Sequence, residues 1–475
     1  MKRPYPARRN TFSASSPLVV AVAVALSWLW PATSQAWTYK EAAAPYAGQS
    51  ITVLDEVTPL QEAMQKLVPQ FVEETGIEVD YQLLNHFEVI NRGQADLLSG
   101  RGEYDAIMVH SPQMGLLLDA GVLRPIDDMM ANAELTSPDL DLDDLIQPSW
   151  DTVAKYQGET YGFLTWAYNT VYWARGDLLS HPDEQAAFKA KYGYDLAPAE
   201  TLQQMRDIAE FFTRAKGEQL AGQTLESDFY GILLEGIKGG TTWWTVWNSF
   251  VRNWGGDIFD ENGSPSVDRP ENVAAIEFWG DLWKFGPPGM AEASLIDVPT
   301  LMGQGVTAQA LAWSDFGLGI DREGGSPYAG KFVYAPSPAN ADYGGPRSAE
   351  LEPSILIIAQ SSDAPEATYL FLQWMADRNT QLALAEELGA GVPNRYSLFE
   401  APIYKDSRLA PLYAAMRGSL EYGQAKPRVP QIYQINDALA ALVQQVGLGQ
   451  LTAEEAMMQG QDEVLSICDP CMLSE

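Results

Sequence analysis

The chain has 475 residues, a length that suits two or three domains, and its 46% hydrophobic and 20% charged residues exclude a disordered or collagen-like polymer. With 30 basic against 63 acidic side chains, the net charge of −33 excludes the usual nucleic-acid binder and argues against docking on an anionic membrane surface. Two cysteines cannot make a disulfide-rich scaffold or a four-cysteine zinc site.

The chain opens with Lys2, Arg3, Arg8 and Arg9, followed by an apolar run from Leu18 to Trp30 broken only by Ser27. Thr33-Ser34-Gln35-Ala36 then supplies the small residues that a signal peptidase reads, so residues 1–36 are expected to be a signal peptide cleaved after Ala36. The apolar run is 13 residues, short of the 20 or so that span a bilayer. Phe12 sits one place too far along for a twin-arginine signal, and no cysteine near the cleavage point offers a lipid anchor. The mature chain would carry 26 basic against 63 acidic residues, a net −37, and is expected to be a soluble periplasmic protein.

Ser50 to Leu54 reads as a strand. Thr58-Pro59-Leu60-Gln61 reads as a capping box with proline at the first helical position. Leu60, Met64, Leu67, Phe71 and Val72 keep helical spacing until Gly76, with a kink expected at Pro69. Ile77 to Leu83 alternates as a second strand, a helix follows to about Ser99, and Tyr104 to Val109 makes a third strand before a helix around Met114 to Leu118. Strands separated by helices predict right-handed βαβ units and a largely parallel sheet, with ligands beyond the carboxyl ends of the strands. Those ends carry Asp55, Glu56, Leu84, Asn85, His110 and Ser111.

Further along, Thr201 and Gln204 predict a capped helix, and Asp268 is expected to cap another in which Val273, Ile276, Trp279 and Trp283 share a core face. Asp257 to Gly263 has spaced carboxylates, but the misplaced glycine and the absent twelfth-position glutamate make Asn262-Gly263 a tight turn rather than a calcium loop. Helices dominate from Pro365, interrupted at Gly389 to Asn394 and at Lys426-Pro427-Arg428-Val429-Pro430.

Six stretches stand out in order: Phe71-Val72-Glu73-Glu74-Thr75-Gly76-Ile77-Glu78-Val79, Tyr104-Asp105-Ala106-Ile107 with Asp119-Ala120-Gly121-Val122-Leu123, and Trp254-Gly255-Gly256-Asp257 with Asn262-Gly263 and Pro270-Glu271, then Met302-Gly303-Gln304-Gly305 to Trp313, Pro393-Asn394-Arg395 and Gly449-Gln450-Leu451-Thr452-Ala453-Glu454-Glu455-Ala456. Taken in this order they resemble the family 1 extracellular solute-binding proteins, the maltose-type receptors of ABC importers. Leu202 stands where the family usually has tryptophan, and Val306 to Ala310 lacks the methionine common there, which bears on subfamily rather than fold.

The resemblance implies an α/β, two-lobed periplasmic-binding-protein fold of type II. Each lobe would be a mostly parallel sheet flanked by helices, joined by three crossings near Thr165–Tyr168, Leu311–Asp315 and Glu352–Ile355. Residues 50–165 and 314–352 would then form the N-terminal lobe, and residues 166–313 and 353–475 the other. A monomer is expected, binding a carbohydrate or polyol and handing it to ABC permease subunits, with no cofactor and no catalysis.

A sugar packs its C–H faces on flat rings and pairs its hydroxyls with side chains that donate and accept. Trp166, Trp243, Trp244 and Trp313 are expected as the rings, the last three because Thr241, Thr242, Ser314 and Asp315 surround them with polar groups. Glu56, Asn85, His110, Asp315, Arg347 and Glu352 are the polar candidates, and Tyr433 matches a position where the family contributes an aromatic. For His110 a structural role weighs equally, as exposed loop positions do for Arg347 and Glu352. The three histidines show no metal spacing, so no metal is expected. Cys468 and Cys471 read as a short disulfide staple.

Two other classes fit the same residues. A secreted glycoside hydrolase would need two carboxylates at a set separation, and 63 acids always allow such a pair. A receptor of this fold for a polyamine or other cation would suit the acidic charge. That charge, with only 12 lysines, also fits a saline habitat.

Overall fold

Thr58 starts the first long helix: its hydroxyl accepts the Gln61 N–H, and Pro59 occupies the first turn, where no donor is needed. In the computed structural model, which describes residues 36–341, 344, 347–388 and 391–471, this helix (α1, Pro59–Thr75) runs through Pro69 and stops at Gly76 with φ of 70°. Residues 1–35 of the expected leader, together with Gly389 and Ala390, lie outside the described residues. The remaining chain, Trp37 onward, makes one compact unit.

Helix α1 links β1 (Ser50–Glu56) to β2 (Glu78–Leu84), which pair in parallel from Ser50 with Glu78 to Glu56 with Leu84. Asn85 caps α2 (His86–Ser99) by accepting the Glu88 N–H, and β3 (Ala106–His110) lies parallel on the other side of β1. Glu56, His86 and His110 are therefore all set at the carboxyl edge of three neighbouring parallel strands, as the βαβ reading anticipates.

The next strand, β4 (Gly162–Arg175), is the longest among the described residues. Helix α3 (Leu202–Phe212) begins with the expected Thr201–Gln204 capping box. Helices α4 (Thr242–Ser249) and α5 (Pro270–Leu282) follow. Arg269 rather than Asp268 precedes α5, because Pro270 takes its first position, and Trp283 falls just past its end. Asp260 to Ser264 is the predicted tight turn: Gly263 has φ of 77°, and the Asp260 carboxylate accepts the N–H groups of Asn262 and Ser264 rather than a cation.

Strands β5 (Gln309–Trp313) and β6 (Phe332–Pro336) both run antiparallel to the second half of β4. Strand β7 (Ala349–Ala359) pairs antiparallel with the middle and first half of β4, and its Ser354–Ile358 stretch also pairs with β3. The resulting sheet has the order β5-β4-β7-β3-β1-β2. Along this order β3-β1-β2 are parallel and the other pairings antiparallel, and the short strand Gly423–Gln424 pairs parallel with the start of β7, so the sheet is mixed, with its parallel end at β1–β3.

Strand β4 pairs with β7 along its first half and with β5 and β6 along its second, and β7 pairs with β3 only over Ser354–Ile358. The expected lobe boundaries need correction. Segment 314–352 sends β6 to the far half of β4, not to β1–β3. Segment 353 onward puts the end of β7 on β3, helix α6 (Pro365–Ala376) on β4, and helix α7 (Arg378–Leu388) on α1. The third expected crossing, Leu311–Asp315, does not continue toward β3: after Trp313 the chain turns into a short helix, Phe316–Ile320, packed on Asp297–Gln304. Helices α8 (Ile432–Gly447) and α9 (Ala453–Ile467) close on each other and on α5. Cys468 and Cys471 are bonded, as expected, and the Cys471 N–H donates to the Gly263 carbonyl at 2.8 Å, pinning the staple to the turn.

Candidate functional site

The carboxyl edge of β1–β3 meets the middle of β4 and β7 in a dense polar cluster. The Glu56 carboxylate receives both histidines on one oxygen: His110 Nε2 at 2.8 Å and His86 Nδ1 at 3.1 Å. His110 is buried, and its other ring nitrogen lies 2.9 Å from the Ser354 hydroxyl of β7, which fixes the orientation of the imidazole. Burial pushes the Glu56 carboxyl up, but the two histidines outweigh it and leave its pKa at about 2.

Beside His110, with ring centroids 6.0 Å apart, lies Trp166, stacked on Tyr168 at 5.0 Å and 13° between planes. Residues two apart on β4 share a face, so this stack follows from strand geometry. Trp166 is 1% exposed and its indole N–H has no partner, whereas Tyr168 is half-buried. Burial raises the Tyr168 hydroxyl well above its ordinary value, helped by the charges of Asp315, Glu56 and Asp55. Burial also pushes Asp315 up to about 7, with the Glu56 charge adding to the effect.

The far wall is built on β7. Glu350 and Glu352 point to one side of the strand, and Lys426 inserts between them, 2.8 Å from Glu350 Oε1 and in close contact with Glu352 Oε2. The Lys426 ammonium also lies 5.7 Å from the Trp313 ring. Glu352 accepts the Ser111 hydroxyl at 2.9 Å, tying β7 to the end of β3. Burial pushes Glu350 up to about 7 against the pull of Lys426. Burial alone would lower Lys426, but its two carboxylates raise it. Tyr433, on the first turn of α8 and 45% exposed, feels both Glu352 and Lys426, and burial of its hydroxyl raises it to about 12.

Of the residues singled out from sequence, the structure brings together Glu56, His110, Trp166, Trp313, Asp315, Glu352 and Tyr433. Four lie elsewhere. Asn85 spends its side chain as the cap of α2 and on Glu88. Arg347 donates to the Glu200 carbonyl at 2.9 Å and lies over Tyr422. Trp243 and Trp244, expected as a stacking surface, are 0% and 2% exposed in α4, with Trp244 edge-on to Trp247. Of their threonine neighbours, Thr241 donates to the buried Glu235 carboxylate and Thr242 to the Ile237 carbonyl.

Sequence reasoning missed Glu350 and Lys426. The one available signal was the adjacency of two acids to the expected crossing; Lys426 sat in a proline-flanked stretch that read as a connection. Glu56, His86 and His110 also form a group whose ligand atoms all lie within 4.8 Å of one another, a donor set able to hold a metal ion.

The chain is 21% identical over 375 residues to an erythritol/L-threitol-binding protein of Mycolicibacterium smegmatis, covering 74% of this chain and 72% of the relative. It is 23% identical over 466 residues to a probable amino-acid ABC transporter periplasmic-binding protein of Sinorhizobium fredii, covering 96% and 97%. An ABC transporter solute-binding protein of Agrobacterium radiobacter in complex with ribitol superposes with a TM-score of 0.71 at 22% identity, over 89% of this chain and 99% of that one. The fold is thus that of the two-lobed binding proteins. No helix among the described residues is long and apolar enough to cross a membrane. The model for the bacterial extracellular solute-binding protein family matches residues 55–381, most of the chain and nearly every residue of the cluster, and the protein belongs to that family.

Proposed function

We propose that this chain is the periplasmic substrate-binding component of an ABC importer, and that it holds a neutral sugar or polyol at the cluster described above and passes it unchanged to the permease. The observation that carries this reading is the stacked Trp166–Tyr168 pair bordered by Glu56, Asp315, Glu352 and Lys426. A ring plate offers apolar area to C–H groups, while carboxylates accept and the lysine donates to hydroxyls. A relative named for erythritol and L-threitol and a structural neighbour holding ribitol support a polyol over a charged ligand.

In this reading β4 and β7 are the flexing crossings. Ligand touching groups on both strand sets favours the closed arrangement in proportion to its preference for it. The test is a thermal-shift panel of tetritols, pentitols, hexitols, mono- and disaccharides, amino acids and putrescine. Binding to the native state raises the melting temperature by mass action. A polyol or sugar should stand out; a shift only with putrescine or with amino acids would redirect the ligand class.

A further inference from the structure

We propose that Glu56, His86 and His110 form a binding site for a divalent transition-metal ion of the zinc class, set at the edge of the ligand cluster. The histidines have no metal spacing in sequence, but the topology delivers all three residues to the carboxyl ends of adjacent parallel strands: Glu56 ends β1, His86 follows β2 and His110 ends β3. Their donor atoms converge within 4.8 Å, and one Glu56 oxygen already lies 2.8 Å from His110 Nε2 and 3.1 Å from His86 Nδ1.

Two imidazoles and one carboxylate are a donor set that zinc accepts, leaving a fourth position for a water or a ligand hydroxyl. With metal–ligand bonds of about 2.0–2.2 Å, tetrahedral donors stand about 3.3–3.6 Å apart. The His86–Glu56 pair needs to open by about 0.2–0.5 Å and the His110–Glu56 pair by about 0.5–0.8 Å. His86, with 47% of its side chain exposed, has room to move, while His110 is held in place.

A second, independent feature supports the site. Metal-bound histidines characteristically engage their other ring nitrogen with a polar partner that fixes the tautomer. His110 does so through Ser354 on β7, a strand from outside the β1–β3 set. A hydroxyl accepting from Nδ1–H would leave Nε2 as a lone pair aimed at the Glu56 oxygen, an arrangement that a cation between them stabilises.

The test uses the untagged full-length mature chain, stripped with EDTA and titrated with zinc sulfate by calorimetry. One zinc per chain is expected, with a melting temperature that rises on addition and falls again with chelator. His86→Ala, at a half-exposed position that leaves the core intact, should weaken zinc at least tenfold without changing the metal-free melting temperature. Glu56→Gln should weaken zinc at least as much, with a lower metal-free melting temperature because both histidines lose their carboxylate partner, and cobalt(II) should give the intense visible absorption of a low-coordinate site in the wild type only. Absence of stoichiometric zinc binding in the wild type would overturn the proposal, as would His86→Ala and Glu56→Gln binding zinc as the wild type does.

Discussion

Lys426→Met probes the buried ammonium held between two carboxylates of the cluster. The lysine side chain is 2% exposed, Glu350 0% and Glu352 15%, so one ammonium holds two carboxylates out of water. Removing one partner of a buried ion pair costs about 3–5 kcal/mol, because the remaining charge stays desolvated. Glu350→Gln should behave differently. It turns a two-to-one arrangement into a one-to-one pair of Lys426 and Glu352, and burial has already pushed Glu350 up to about 7, so it should cost no more than about 1 kcal/mol. In the double variant the carboxylate left bare by Lys426→Met is gone. The loss should therefore fall short of the sum of the singles by at least about 1.5 kcal/mol, well beyond the roughly 0.5 kcal/mol scatter of independent sites. Urea unfolding of the four proteins, followed by far-ultraviolet circular dichroism, gives the cycle. A Lys426→Met variant within about 1 kcal/mol of wild type, or strict additivity, would refute the triad as a coupled buried charge set.

Trp244→Ala should lose about 3–5 kcal/mol of stability, as a core tryptophan does, whereas the half-exposed Tyr433→Ala should keep its melting temperature and bind the polyol about tenfold more weakly. Calorimetry beside thermal unfolding separates the two, and an unchanged affinity in Tyr433→Ala would remove that ring from the site. The Asp315 carboxyl, raised by burial from 3.8 to about 7, keeps a proton in the folded chain between those values that the unfolded chain releases. Stability should therefore fall as pH rises through that window, and Asp315→Asn should flatten the fall; an identical pH profile in the variant would contradict it. Mass spectrometry of the exported protein should give Trp37 as first residue, and an intact Met1 end would exclude the cleaved leader.

Much of the scaffold was legible because local chemistry decides it. Thr58 with Pro59, Thr201 with Gln204, and the Gly76 stop each settle a helix end within four residues, and the alternating strands between them force the βαβ order. Glu56 and His110 followed from the same logic, since parallel strands present their carboxyl ends to ligands. What escaped depended on distant pairing. Lys426 reaches Glu352 across 74 positions, and nothing in Lys426-Pro427-Arg428 announces a buried ammonium. The lobe boundaries failed for the same reason: whether β7 turns toward β3 or away from it is a matter of register, with Ser354–Ile358 paired to His110–Ala106. His86 carried no spacing signal toward His110, because 23 residues of helix and strand intervene before the sheet folds them together.

The central claim, that the Trp166–Tyr168 plate and its ring of charges take up a polyhydroxyl ligand without altering it, is tested most directly by one calorimetric titration. The mature chain is titrated with the panel's strongest polyol or sugar, and the bound fraction is then released and chromatographed. One ligand per chain, recovered chemically unchanged, is the predicted result. No heat of binding with any polyol or sugar, or recovery of cleaved or transformed product, would contradict it.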